Sequence, residues 1–318
     1  MSALLGAWRN QPVLLVLALL WVGLISAIAL FQPHILNVYT FTGILQFASI
    51  LALVSLGQSL VILAGGAGID LSVGGNVSLT AVLTMMALVA GLDAGWMPLL
   101  CVAIGAGLGL TNGILVTRLG FYPLIVTLGT FYIYSGVALA LTGGSAISGV
   151  PTWSLTWGRG SWGVIPLPFL TLVLPAFIMA AIILSLTSWG RWIYAMGYNE
   201  RSARLVGIPV DRVRILLYTL GGALSGLAAL VSLAWLGSAR PNIGVNLELE
   251  SLTAAMLGGI AIFGGRGHVF GVFAAVILLV TLKTAMLQMG FNTVLQVGVV
   301  GLLLILVLLA DRLSQHRG

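Results

Sequence analysis

The sequence predicts an all-α polytopic membrane protein of about ten transmembrane helices with both termini cytoplasmic, and three observations carry that prediction. About 60% of the 318 residues are hydrophobic and 6% are charged, whereas a soluble domain needs roughly a quarter charged residues to cover its surface. Apolar runs of about 20 residues, the length that crosses a bilayer core, recur along the chain. Lysine and arginine fall almost entirely on one side of the topology those runs define. No Pro-rich or Ser-rich linker interrupts the pattern, so residues 1–318 read as a single transmembrane domain.

In order, the predicted spans are 12–31, 42–64, 72–91, 97–117, 121–142, 165–187, 214–236, 251–264, 268–289 and 293–310. The first follows an N-terminal region bearing Arg9, but its apolar run is too long for a signal peptide and reads as a retained helix. Between the second and third lies LAGGAGIDLSVGGNVSLTA (63–81). Here Asp70 precedes a helix start, where a carboxylate accepts backbone N–H groups and faces the positive end of the helix dipole. Such a broken helix also exposes backbone polar groups beside a pathway, with Ser72, Asn76 and Ser78 as polar lining. Asn112 in the fourth span and Thr127 and Thr130 in the fifth add donors and acceptors to the candidate pathway. Glycine clusters at 105–113 and 221–229 let helices approach closely in lipid. The eighth span is only about 14 residues long and ends in Gly264 and Gly265, which fits a half-helix or a re-entrant piece as well as a full crossing. Cys101 lies inside an apolar span, so no intramolecular disulfide framework is possible.

One polar island stands out, SWGRWIYAMGYNERSARLVGIPVDRVR (188–214), with Arg191, Arg201, Arg204, Arg212 and Arg214 beside Glu200 and Asp211. It carries its own stop and start signals. Asn199 suits an N-cap, Glu200 the first turn, Gly207 a left-handed end, and Pro209 the first position of the next helix. With the N-terminus inside, Arg9, Arg118, the five island arginines, Arg266, Arg312 and Arg317 are cytoplasmic; Arg159 and Arg240 are outside and Lys283 is within a span. The loop 143–164, with Trp153, Trp157 and Trp162, suits the outer interface. The formal charge of +6 therefore reflects insertion topology, and no nucleic-acid partner is expected.

Catalysis is argued against by what is missing. No Gly-Lys-Ser/Thr phosphate loop exists, because the only lysine, Lys283, sits in LVTLKTAM; His34, His268 and His316 lack metal-ligand spacing. The spans also lack facing carboxylates, which proton-coupled carriers use as relays.

GIDLSVG (68–74), PLIVTLGT (123–130) with YSGVALALTGG (134–144), GRWIYAMGYNERSARLVGIPVDRVR (190–214) and LGGIAIFGGRG (257–267) resemble, in order, the membrane permeases of bacterial ABC importers for monosaccharides. Within that family the chain looks like the ribose, autoinducer-2 and rhamnose permeases, with GSARPNIG (237–244) most like the last two. The resemblance implies a type II-like permease in the bacterial inner membrane, forming the pore with a second copy or paralogue. It also implies two cytoplasmic ATPases, a periplasmic sugar-binding protein, and no cofactor of its own, since ATP-Mg is used by the partner ATPase. The island then matches a coupling helix, with Gly197, Asn199, Glu200, Arg201, Ala203, Arg204, Gly207 and Ile208 as contact positions. Tyr198 departs from the small residue that relatives commonly have there. The competing expectations are a stand-alone secondary carrier, a non-transporting scaffold or receptor, and a permease for another small solute such as branched-chain amino acids or nucleosides.

Overall fold

The computed structural model describes residues 12–66 and 68–315. Over them the chain is helical throughout its body. The helices are α1 (Pro12–Phe31), α2 (Val38–Leu63), α3 (Val73–Val89), α4 (Met97–Thr117), α5 (Pro123–Thr142), α6 (Thr152–Arg159), α7 (Leu174–Leu186), α8 (Ser188–Tyr198), α9 (Glu200–Leu205), α10 (Val210–Leu236), α11 (Leu247–Leu257), α12 (Val269–Gln288) and α13 (Thr293–Gln315). Six helical stretches are long and apolar enough to cross a membrane: Val38–Leu63, Ala94–Thr117, Pro123–Thr142, Phe169–Leu186, Val210–Leu236 and Val269–Gln288. Leu15–Leu30, Val73–Val89 and Thr293–Val307 are shorter apolar stretches. Arg9, His316 and Arg317 lie outside the described residues.

The centre is α2, whose apolar window is 89% buried, against 28% for α5 and α7. A helix enclosed by protein needs no polar face, and one turned to lipid needs none either, so both read alike in hydropathy. Packing separates them. At Gly57 a Cβ would lie 2.9 Å from the Gly221 Cα, so α2 and α10 touch backbone to backbone. The two predicted glycine clusters meet each other. Added Cβ atoms on Gly105, Gly109, Gly222 or Gly226 would strike the backbone of the opposing helix, α10 or α4. Close approach of this kind is the main source of helix affinity where lipid is as apolar as leucine.

Two departures from the predicted elements have local causes. The segment 165–168, read as the start of a span, instead holds the short strand β3 (Ile165–Pro166), which pairs with β2 (Ser161–Trp162). A five-residue π-helical turn, Phe169–Val173, then leads into α7; Pro166 and Pro168 cannot donate to an α-helical ladder. The seventh span begins at Val210 instead of 214, with Asp211 in its first turn, and Pro209 sits one position earlier than predicted, as the N-cap.

At the end away from the island, β1 (Ile147–Ser148) pairs antiparallel with β4 (Ser238–Ala239). The loop containing the three tryptophans is pinned there. Arg159 Nε donates to the Trp235 carbonyl at 2.9 Å, and Gln46 Nε2 to the Gly158 carbonyl at 3.2 Å. Trp162 is exposed and Trp157 Nε1 donates to Thr171 Oγ1 at 3.1 Å.

Candidate coupling segment and buried polar cluster

The island folds as two helices joined at one residue. Asn199 ends α8 and starts α9, and its Oδ1 accepts the Ser202 backbone N–H at 2.9 Å. Gly207, with φ +84°, turns the chain toward α10 in the left-handed region that a side chain would disfavour. Glu200 is the hub. Its Oε1 accepts from Arg204 at 3.0 Å and its Oε2 from Arg214 at 2.6 Å, while Arg204 also pairs with Asp211 at 2.5 Å. The charges thus tie α9 to the base of α10. Hydrogen bonding from Arg214 is the main cause that holds the Glu200 carboxyl below its ordinary value, partly opposed by burial.

The inner face of the island has no side-chain cushion. A Cβ on Gly197 would collide with the Leu63 carbonyl oxygen and the Gly265 amide nitrogen. Gly265 N donates to the Leu63 carbonyl at 3.0 Å, and Tyr194 Oη to the Gly267 carbonyl at 2.8 Å. The two glycine-rich breaks, after α2 and after α11, therefore meet under α8. Of the predicted contact positions, Asn199, Arg201, Arg204 and Gly207 are exposed, Gly197, Glu200 and Ile208 are partly covered, and Ala203 is buried. Sequence reasoning singled out Tyr198 but passed over two further exposed apolar side chains, Leu205 and Val206. Their signal was present: two adjacent apolar residues directly before the helix-ending Gly207.

The predicted pathway residues come together where α3, α4 and α5 meet, and all are buried. Ser72 donates to Asp70 Oδ1 from its backbone N–H at 2.9 Å and from its hydroxyl at 2.6 Å, and Asn112 Nδ2 donates to Ser72 Oγ at 2.6 Å. Asn76 Nδ2 reaches the Gly105 carbonyl at 3.1 Å. Thr127 bonds to the carbonyls of Ile69 and Pro123, and Thr130 to that of Val126. Their donors are spent on the protein itself. In this conformation they knit helices together.

Three acids that sequence reasoning placed in loops lie within the helical body. Asp70 is one. Glu248 and Glu250 begin α11, which covers 247–257 instead of 251–264. At 11 residues it spans about 16 Å, too short to cross a core of about 30 Å. Glu250 is buried and pairs with Lys283 of α12 at 2.5 Å. The chain reaches α11 by a non-helical segment whose Gly244 packs its backbone against Gly74 at the start of α3. Both short helices start at this inner contact. From it α11 returns toward the island, and α3 leads away.

Comparison with known proteins follows the same extent of chain. Residues 40–308 match the family model described as the branched-chain amino acid transport system / permease component. The ribose import permease protein of Bacillus subtilis is 36% identical over 295 residues, covering 91% of this chain and 89% of that protein. An autoinducer 2 import system permease protein of Yersinia enterocolitica is 33% identical over 289 residues, covering 91% and 79%. The ribose import permease protein of Escherichia coli K12 is 30% identical over 315 residues, covering 97% and 96%. No solved structure matches.

Proposed function

Given that this chain belongs to the family of branched-chain amino acid transport system permease components, we propose that it is the membrane-spanning subunit of an ATP-driven bacterial importer for a monosaccharide. It is a transporter subunit and holds no catalytic site of its own. Relatives that cover nearly the whole chain are ribose and autoinducer-2 import permeases, which favours a sugar-like cargo over the amino acid in the family's description. The proposed topology has ten membrane segments, α11 being a half-helix, with both termini and the island cytoplasmic, as the distribution of arginine requires. A second copy or paralogue completes the pore, a sugar-binding protein delivers cargo outside, and two ATPase subunits dock on the island.

One observation carries the coupling role: Gly197 seats α8 directly on both glycine-rich breaks. A push on the exposed Tyr198, Leu205 and Val206 face then moves backbone, with no soft side chains to absorb it. Glu200 and its two arginine partners keep α9 in step with α10. Charge reversal at Glu200 or Arg204 is expected to cut sugar uptake and ATPase co-purification together. Full assembly with full uptake in every such variant would refute the coupling role.

The buried Glu250 gives the secondary-carrier reading one observation in its favour, since intramembrane acids often relay protons. Its salt bridge to Lys283 argues for a structural or cargo-facing role instead. Uptake driven by a proton gradient in vesicles without any ATPase would decide for the carrier.

A further inference from the structure

We propose that an uncharged polyhydroxyl cargo is held in the cavity beside the Glu250–Lys283 pair, on the half of the molecule away from the island. The proposal rests on the importer reading and deepens it by naming the cargo-contacting residues. The cavity measures about 430 Å³ and is lined by Phe47, Trp235, Glu250, Lys283, Thr284 and Gln296 among aliphatic side chains. Small-molecule sites occupy roughly 300–1,000 Å³ and combine apolar walls with a few convergent polar groups. Here the convergent groups are an ion pair, an amide and the hydroxyls of Thr284 and Thr293.

The chemistry of the pair selects the class of ligand. Lys283 Nζ donates to Glu250 Oε1 at 2.5 Å, which leaves the ammonium two further protons. Glu250 Oε2 takes no hydrogen bond among the described residues, and Glu250 lines the cavity. An acceptor and donors thus stand side by side with no net charge. Neighbouring hydroxyls of a sugar match that arrangement, each hydroxyl both giving and accepting. A bare anion or cation would have to compete with one member of the pair. The Phe47 and Trp235 rings pack edge to face with centroids 4.7 Å apart, and they offer the cavity a rigid apolar wall for the C–H face of a pyranose or furanose.

Position supports the same assignment. Glu250 and Lys283 come from the half-helix α11 and from α12, while Ile243 and Val245 of the segment before α11 and Leu247 at its start line the cavity as well. A cargo there touches the segment that Gly244 locks to α3 and that continues through α11 into the break beneath the island. The Asp70–Asn112 cluster, by contrast, is buried and bonded among its own side chains, although Asn112 Oδ1 takes no hydrogen bond among the described residues.

The test uses the full chain in lipid nanodiscs, with tryptophan fluorescence titrated by D-ribose, L-arabinose, D-glucose and, as a zwitterionic probe, L-leucine. At least one sugar is expected to give a saturable change that is lost in Trp235→Phe and weakened about tenfold or more in the double variant Glu250→Leu with Lys283→Met. The double variant removes both charges, so it leaves no lone buried ion to unfold the chain. Gln296→Ala gives a second, uncharged check and is expected to weaken the same response. No response to any sugar, a response that survives the double variant, or a response to leucine alone would overturn the proposal. ATP-dependent uptake by the wild-type importer, measured separately, tells failure of this site from failure of the importer reading.

Discussion

At the scale of single residues, Gly197 is a position with almost no freedom. A methyl group there meets backbone on two sides, the Leu63 carbonyl and the Gly265 amide, and overpacking of this kind costs about 1–3 kcal/mol. Gly197→Ala is expected to lower the melting temperature of the purified protein and to reduce uptake, whereas Gly129→Ala, in α5 with open space around it, is expected to be neutral or slightly stabilising. Equal behaviour of the two variants in a thermal unfolding assay would refute the tight joint. What the sequence disclosed at this scale was local chemistry. Asn199 was legible as a cap because an amide before a Glu-bearing turn bonds only to its own neighbours. Glu250 and Lys283, 33 residues apart, were not, because nothing local to either says which helix face will meet the other.

Among the elements, α9 is short enough to need its ion pairs. Six residues form barely two turns, and isolated helices of that length are unstable in water. Glu200 binds Arg204 within α9 and Arg214 on α10, and its lowered pKa couples docking to pH. A depressed carboxylate contributes stability above its ordinary pKa of 4.5 and loses it as pH falls through the lower, folded value. A spin label at Ser202 should therefore be immobile at neutral pH and gain mobility as pH drops below 4.5. In Glu200→Gln it should be mobile at every pH. A label whose mobility ignores both pH and the substitution would show that the pairs do not hold α9. Element boundaries followed the sequence at both ends of α4 and at the glycine-marked end of α5. They failed at 165–168, at the start of α10 and at α11, where strand pairing, a helix begun directly after Pro209 and a non-helical approach override hydropathy averaged over a window.

For the molecule as a whole, the arrangement of positive charge predicts which surface each end faces. Cysteine introduced at Ser145, exposed beyond α5, is expected to react with a membrane-impermeant maleimide on intact cells with permeabilised outer membranes. Cysteine at Ser202, exposed on α9, is expected to react only after the inner membrane is opened. Native Cys101 is buried and provides a low background. The reverse pattern would invert the topology. The family and the polytopic class were legible because composition and four ordered motifs extend over most of the chain, while the meeting of α3 and α11 depends on long-range packing that no segment encodes alone. The joint beneath Gly197 also bears on how such a protein can change over generations. Its inner surface is main chain against main chain and tolerates little variation, whereas the side chains of Tyr198, Leu205 and Val206 are largely exposed and can be exchanged without disturbing it. On the docking proposed above, exchange of these outer side chains would change the fit to an ATPase while leaving the main-chain joint behind them as it is.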